Sequence, residues 1–107
     1  ETNIANLVEN DHVVFIDITA DWCATCQFNK INVLESKTIK EAFNKNNIVL
    51  VRADWTRPSK EIDIFLKKYN RFGIPLNAFF SSKHPEGILL SEILSERQIL
   101  NSIEKIK

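Results

Sequence analysis

Two cysteines stand in this 107-residue chain, and both lie in one tetrapeptide, Cys23-Ala24-Thr25-Cys26. A disulfide scaffold spreads its cysteines to close long loops. A bridge across two intervening residues closes almost nothing and stabilises little, so the pair reads as chemistry rather than as a staple. If Cys23 begins a helix, unpaired N–H groups and the positive end of the helix dipole favour its thiolate and are expected to lower its pKa below that of free cysteine. Cys26 follows one turn later, so its sulfur can face that of Cys23. The pair can then cycle between dithiol and disulfide through a mixed disulfide with a substrate: Cys23 attacks and Cys26 resolves. Three other readings compete. A tetrahedral zinc site needs four ligands, and beyond the pair the chain offers only His12 and His84, at no ligand spacing. Haem attachment needs a histidine after the second cysteine, where Gln27 stands. An inert buried pair is the third.

Other residues could tune or surround such a site. Asp17 lies within Val13–Ile18, where a charge is costly to bury. It either faces water at a strand edge or is a buried carboxylate below the cysteines, its pKa raised, taking a proton from Cys26 and returning it. Arg52, in the neighbouring strand, either pairs with Asp17 or is simply solvated. Trp22 is either core or part of the rim around the sulfur. Pro75, in Gly73-Ile74-Pro75, either terminates a helix or forms a cis-proline loop opposite the cysteines. In the second case Ile74 offers its backbone to an extended substrate segment. The candidate catalytic residues are therefore Cys23, Cys26 and Asp17, and the candidate substrate contacts are Trp22, Ala24, Thr25, Ile74 and Pro75.

The elements that must position these residues follow from periodicity. Residues 4–9 suggest a short amphipathic helix. Residues 12–19 form a β-branched and aromatic run, as expected for a strand buried on both faces. Helix-like sequence runs from Ala24 to about Leu34, with Phe28, Ile31 and Leu34 as its apolar positions. Ser36 can cap a further helical segment carrying Ile39, Ala42 and Phe43. Residues 48–54 predict a second buried strand. Pro58-Ser59 opens a helix with Ile62, Phe65, Leu66 and Tyr69 on one face, broken by Gly73. Residues 76–81 and 88–90 predict strands joined by a turn containing Pro85 and Gly87. Ser95 and Gln98 match a capping box and Leu94 and Ile99 a hydrophobic staple, ahead of a helix lined by Ile99, Ile103 and Ile106. Strands separated by helices pair in parallel through right-handed crossovers, and the last two strands form an antiparallel hairpin. The expected fold is α/β: a mixed four- to five-stranded sheet with helices on both faces.

Composition narrows the function. The chain is 44% hydrophobic and 26% charged, with 14 basic and 14 acidic residues. That is ordinary for one globular domain spanning 1–107 and unlike a disordered segment. Without a basic excess there is no support for nucleic-acid binding. The longest apolar runs are four residues, 13–16 and 48–51, so no helix here can span a bilayer. The chain starts at Glu1 and contains no Met, so it is expected to be a processed form or a domain excised from a larger protein.

The motif Asp17-Ile-Thr-Ala-Asp-Trp22-Cys23-x-x-Cys26, a following strand, Gly73-Ile74-Pro75 and a hairpin resemble the thioredoxin superfamily over residues 12–106. The resemblance implies the thioredoxin fold, with Cys23 as nucleophile, Cys26 as resolving thiol, Asp17 as buried acid/base and Pro75 as a cis-proline. It implies no cofactor other than the redox-active disulfide, and no metal. A narrower resemblance is to the C-terminal periplasmic domain of the DsbD membrane reductases. It rests on Ala20-Asp21-Trp22-Cys23-Ala24-Thr25-Cys26, on a helix without a central proline leading into Leu34-Glu35-Ser36, and on Ala53-Asp54-Trp55-Thr56. It implies a periplasmic domain of an inner-membrane protein; nothing in the sequence suggests more than a monomer for the isolated domain. Such a domain takes electrons from a transmembrane domain and passes them to an N-terminal periplasmic domain, and so to disulfide isomerases and cytochrome c maturation. Two departures are informative. Ala24-Thr25 replaces the Gly-Pro of ordinary thioredoxins, and Lys30 stands where an acidic residue is common. Lys30 either favours the Cys23 thiolate or is solvated. Ala24-Thr25 adds no charge or imidazole to hold a thiolate strongly, so a reducing potential is expected. The alternatives are a free-standing periplasmic thioredoxin-like reductase serving cytochrome maturation, or a binding module without turnover.

Overall fold

Val13–Thr19 (β1) is flanked by strands on both sides, which is why its residues are apolar on both faces. The computed structural model describes residues 7–107. Residues 7–9 are helical, and the rest of the first predicted helix lies outside the described residues. β1 pairs in parallel with β2 (Ile48–Asp54) and antiparallel with β3 (Leu76–Phe80), which pairs antiparallel with β4 (Ile88–Leu89). The order β2-β1-β3-β4 gives a mixed sheet of four strands.

Alternation along the strands makes two cores. Val14, Ile16 and Ile18 stand opposite Phe80, Ala78 and Leu76 and pack against Phe65 and Leu66 of α3 (Lys60–Lys68). On the other face Phe15 and Phe79 meet at 4.8 Å between ring centroids. They pack with Val33, Leu34, Ile39, Phe43, Ile99, Ile103 and Ile106 from the remaining helices. Those helices are α1 (Ala24–Asn29), continued by a π-helical turn over Lys30–Leu34, then α2 (Lys37–Lys45) and α4 (Glu96–Ile106). Helices thus cover both faces, as the alternation of elements predicts.

The capping serines act as expected. Ser36, Ser59 and Ser95 each accept a backbone N–H three residues on through Oγ, at 3.2–3.3 Å. The capping box at Ser95 is half made, because the Gln98 amide donates to Ser91 Oγ at 2.9 Å instead of turning back. Helix α3 ends before Gly73: Asn70 takes φ 58° just past its C-terminus, a left-handed conformation that asparagine tolerates.

Two expectations about burial are corrected. Of the apolar positions predicted between Ala24 and Leu34, Phe28 and Ile31 are exposed, and Cys26, Asn29, Val33 and Leu34 are buried. The helix takes its phase from Cys26. At 3.6 residues per turn, positions two and five further on point away from it. The π-turn, closed by Glu35 N–H donating to the Lys30 carbonyl at 2.8 Å, then brings Leu34 inward. The second correction concerns β2. It is an edge strand with one neighbour, so from Val49 on its residues alternate between half-buried and exposed.

Candidate active site

Strand β1 delivers the chain through a turn, 20–22, to the start of α1. Cys23 is the N-cap of that helix, and its Sγ accepts the Cys26 N–H at 3.2 Å. A sulfur that already receives a backbone N–H is placed to hold thiolate charge. Cys23 and Cys26 form a disulfide, with Cα atoms 5.2 Å apart. Ala24 is exposed and Thr25 half-buried in the intervening turn. Both sulfurs are largely buried with Ala20, and Ile74 packs against them. The Ile74–Pro75 peptide is cis. The loop before β3 therefore meets the cysteines, as the second reading of Pro75 expects.

Asp17 is 3% exposed, so the water-facing reading does not hold. It lies on the Phe15 face of the sheet, opposite Arg52 in β2 and Asn77 in β3. The Arg52 Nε donates to Asp17 Oδ2 at 3.2 Å. Burial pushes the Asp17 carboxyl above its ordinary pKa. The Arg52 hydrogen bond and charge, and then the Lys30 charge, pull the other way without overcoming it. Lys30 thus bears on the carboxylate.

Trp22 is 61% exposed, so the core reading does not hold. Its indole N–H donates to the Thr56 carbonyl at 3.1 Å, and its ring lies 6.2 Å from that of Trp55. Thr56 also accepts the Asp21 N–H on Oγ1 at 2.9 Å, while its own N–H and hydroxyl both donate to Asp54 Oδ1. Trp55 N–H donates to the Thr19 carbonyl at 2.7 Å. The end of β2 therefore braces the turn that presents Cys23. In the sequence, residues 53–56 stand out only through a resemblance. The signal was an Asx-type Asp-x-Thr at a strand end.

Two buried asparagines were missed. Asn29, three residues after Cys26, donates to the Glu92 carbonyl at 2.8 Å and accepts the Leu94 N–H at 3.0 Å. Asn77 interrupts the apolar run of β3 directly opposite Asp17. Its polarity in that run was the available signal.

Among the described residues, no group of three or more His, Cys, Asp or Glu side chains is placed to hold a metal, and no helix is long and apolar enough to cross a membrane. The chemistry these residues support is dithiol–disulfide exchange at Cys23 and Cys26.

Comparison with known proteins agrees with this geometry. A family model described as thioredoxin-like matches residues 1–82. The thiol:disulfide interchange protein DsbD of Haemophilus influenzae strain PittGG is 29% identical over 104 residues, covering 94% of this chain and 17% of that protein. DsbD of Yersinia pestis strain Pestoides F is 35% identical over 74 residues, covering 68% of this chain and 12% of that protein. The chain thus spans less than a fifth of these relatives. Among solved structures, the oxidised C-terminal domain of Neisseria meningitidis DsbD superposes with a TM-score of 0.75 at 20% identity, over 99% of this chain and 88% of that one. A thioredoxin from Thermus thermophilus gives 0.70 at 17% identity, over 96% and 79%. These two likenesses speak to the fold.

Proposed function

This chain belongs to the thioredoxin-like family, and we propose that within it the Cys23–Cys26 pair works as a reducing relay of the DsbD kind. In the dithiol form the Cys23 thiolate attacks one sulfur of a substrate disulfide. A mixed disulfide forms and one substrate thiolate leaves. Cys26 gives its proton to Asp17, attacks Cys23 Sγ and releases the second substrate thiolate. The substrate gains two electrons and the domain is left as the disulfide. A donor dithiol then runs the same exchange in reverse.

The observation that carries this reading is the disulfide at the start of α1, with Cys23 as N-cap and a buried carboxylate on the strand that leads to it. The DsbD relatives support the finer assignment: a periplasmic domain of an inner-membrane protein, receiving electrons from a transmembrane domain and delivering them to another periplasmic domain. Trp22, Ile74 and the exposed Phe72 flank the cysteines and the loop that meets them in the chain. They are the contacts for such partners, with Ala24 and Thr25 at the point of approach and the Ile74 backbone, held by Pro75, offered to an extended segment.

Equilibration in glutathione and dithiothreitol buffers, read by thiol alkylation and mass, tests the reading. One two-electron transition between about −200 and −270 mV is expected. A midpoint near about −120 mV would place the domain among oxidases instead.

A further inference from the structure

β1 and β3 run antiparallel with Asp17 directly opposite Asn77. Directly opposed residues share a face, with Cβ atoms about 5 Å apart. Both side chains are closed off from solvent, Asp17 at 3% and Asn77 at 2% exposure. Among the described residues, neither Nδ2 nor Oδ1 of Asn77 has a hydrogen-bond partner. A buried amide with both ends unpaired opposes folding, whereas an apolar side chain of the same size would fill the space without that penalty. The rest of β3, Leu76, Ala78, Phe79 and Phe80, is apolar. Packing alone therefore gives no reason for an asparagine at 77.

The neighbour gives one. An amide is neutral at every relevant pH, yet it can donate through Nδ2 to a carboxylate and accept through Oδ1 from a carboxylic acid. It can serve both protonation states of Asp17 without titrating itself. The other groups bearing on Asp17 cannot. Arg52 from β2 and Lys30 from the turn after α1 act on it as cations and favour only the ionised form. Asn29, buried on the covering helix, is engaged at both ends by the Glu92 and Leu94 backbone. Asn77 and Asp17 make no direct hydrogen bond, and a buried polar pair of this kind is the setting in which a bridging water serves both groups.

We propose that Asn77 is a positioning residue for Asp17, holding its carboxyl through a bridging water in both protonation states and so setting the pH at which Asp17 exchanges a proton with Cys26. The proposal rests on the acid–base role given to Asp17 above.

The test reads Asp17 directly, through the ¹³C shift of its carboxyl carbon during a pH titration of the reduced protein. Asn77→Leu removes the polar group at similar volume. It is expected to move the Asp17 titration upward by about one pH unit or more, since both forms lose a partner but the carboxylate loses the stronger, charge-assisted hydrogen bond, with the melting temperature unchanged or raised. Asn77→Ser keeps a donor and an acceptor and is expected to return most of the shift. A native titration in Asn77→Leu overturns the inference. So does a titration of Asn77→Ser that coincides with Asn77→Leu, because burial alone would then be the cause. Should Asn77→Leu not fold, Asn77→Val makes the same test with the same two outcomes. Activity separates the two layers: if Asp17→Asn keeps the native pH–rate profile, the acid–base role of Asp17 fails, while the carboxyl titration still decides whether Asn77 holds it.

Discussion

Arg52 reaches Asp17 from the open edge of the sheet, with the arginine side chain 37% exposed and the aspartate side chain 5%. The cation keeps much of its hydration while it offsets part of the cost of burying the carboxylate. Burial remains the larger effect, so the folded protein holds the Asp17 proton above the ordinary pKa of 3.8. Between 3.8 and the raised folded value, the folded state binds a proton that the unfolded state has released. Stability therefore falls as pH rises through that window, and the loss persists at neutral pH. Asp17→Asn is expected to flatten this dependence and to stabilise the domain at pH 7 by about 1.4 kcal/mol per pH unit of upward displacement. Arg52→Leu is expected to act in the opposite direction. Urea unfolding from pH 4 to pH 8 measures both.

The two cysteines are not interchangeable. Cys23 caps α1 and receives the Cys26 N–H, whereas Cys26 lies one turn inside the helix. Cys26→Ser should leave the attack intact and trap a mixed disulfide with a protein substrate. Cys23→Ser should trap nothing and abolish turnover. Non-reducing gels and mass of the adduct check the pair. Equal trapping by both variants would contradict the assignment of roles.

Much of this arrangement was legible in the chain, for reasons that differ by residue. Strand β1 shows as an apolar run because it is buried on both faces, and Ser36, Ser59 and Ser95 announce helices because capping is a local interaction. The cysteines, Asp17 and Pro75 stand out because each is unusual where it sits. Phe28 and Ile31 misled because helix phase follows the buried Cys26, packed with Cys23, Ala20 and Ile74, and not the apolar side chains. The edge position of β2 was hidden, since strand order is a property of the whole sheet. The long-range polar bonds of Asn29 and Thr56, to partners 65 and 35 positions away, carry no local signature.

Asn29 ties α1 to the loop before α4. Its carbonyl oxygen accepts the buried Leu94 N–H and its amide donates to the Glu92 carbonyl. Asn29→Leu fills the space but leaves both backbone groups without this partner. An unsatisfied buried group costs about 1–3 kcal/mol, so a loss of roughly 2–3 kcal/mol is expected by chemical unfolding. Amide hydrogen exchange at Leu94 should accelerate while the protection of β1 follows global stability alone. Unchanged exchange at Leu94 would show that the loop is held by packing.

The brace under Trp22 separates recognition from chemistry. Thr56 accepts the Asp21 N–H, presents its carbonyl to the Trp22 indole and donates twice to Asp54. Thr56→Val removes the hydroxyl, and with it the Asp21 contact and one of the two bonds to Asp54. The cost to stability should be about 1 kcal/mol. Neither sulfur touches this network, so reaction with oxidised glutathione should be unchanged. Reduction of a protein disulfide such as that of insulin should slow several-fold, because the exposed Trp22 rim is less firmly held. The Thr56 hydroxyl, and then its backbone N–H, also holds the Asp54 carboxyl below its ordinary pKa of 3.8. That contribution is present above 3.8 and lost as pH falls through the lowered folded value. The Thr56→Val defect should therefore shrink in strongly acidic solution. Stopped-flow rates with the two substrates, together with the anisotropy of tryptophan emission, give the test. An equal slowing with glutathione and with insulin would place Thr56 in the chemistry rather than in the rim.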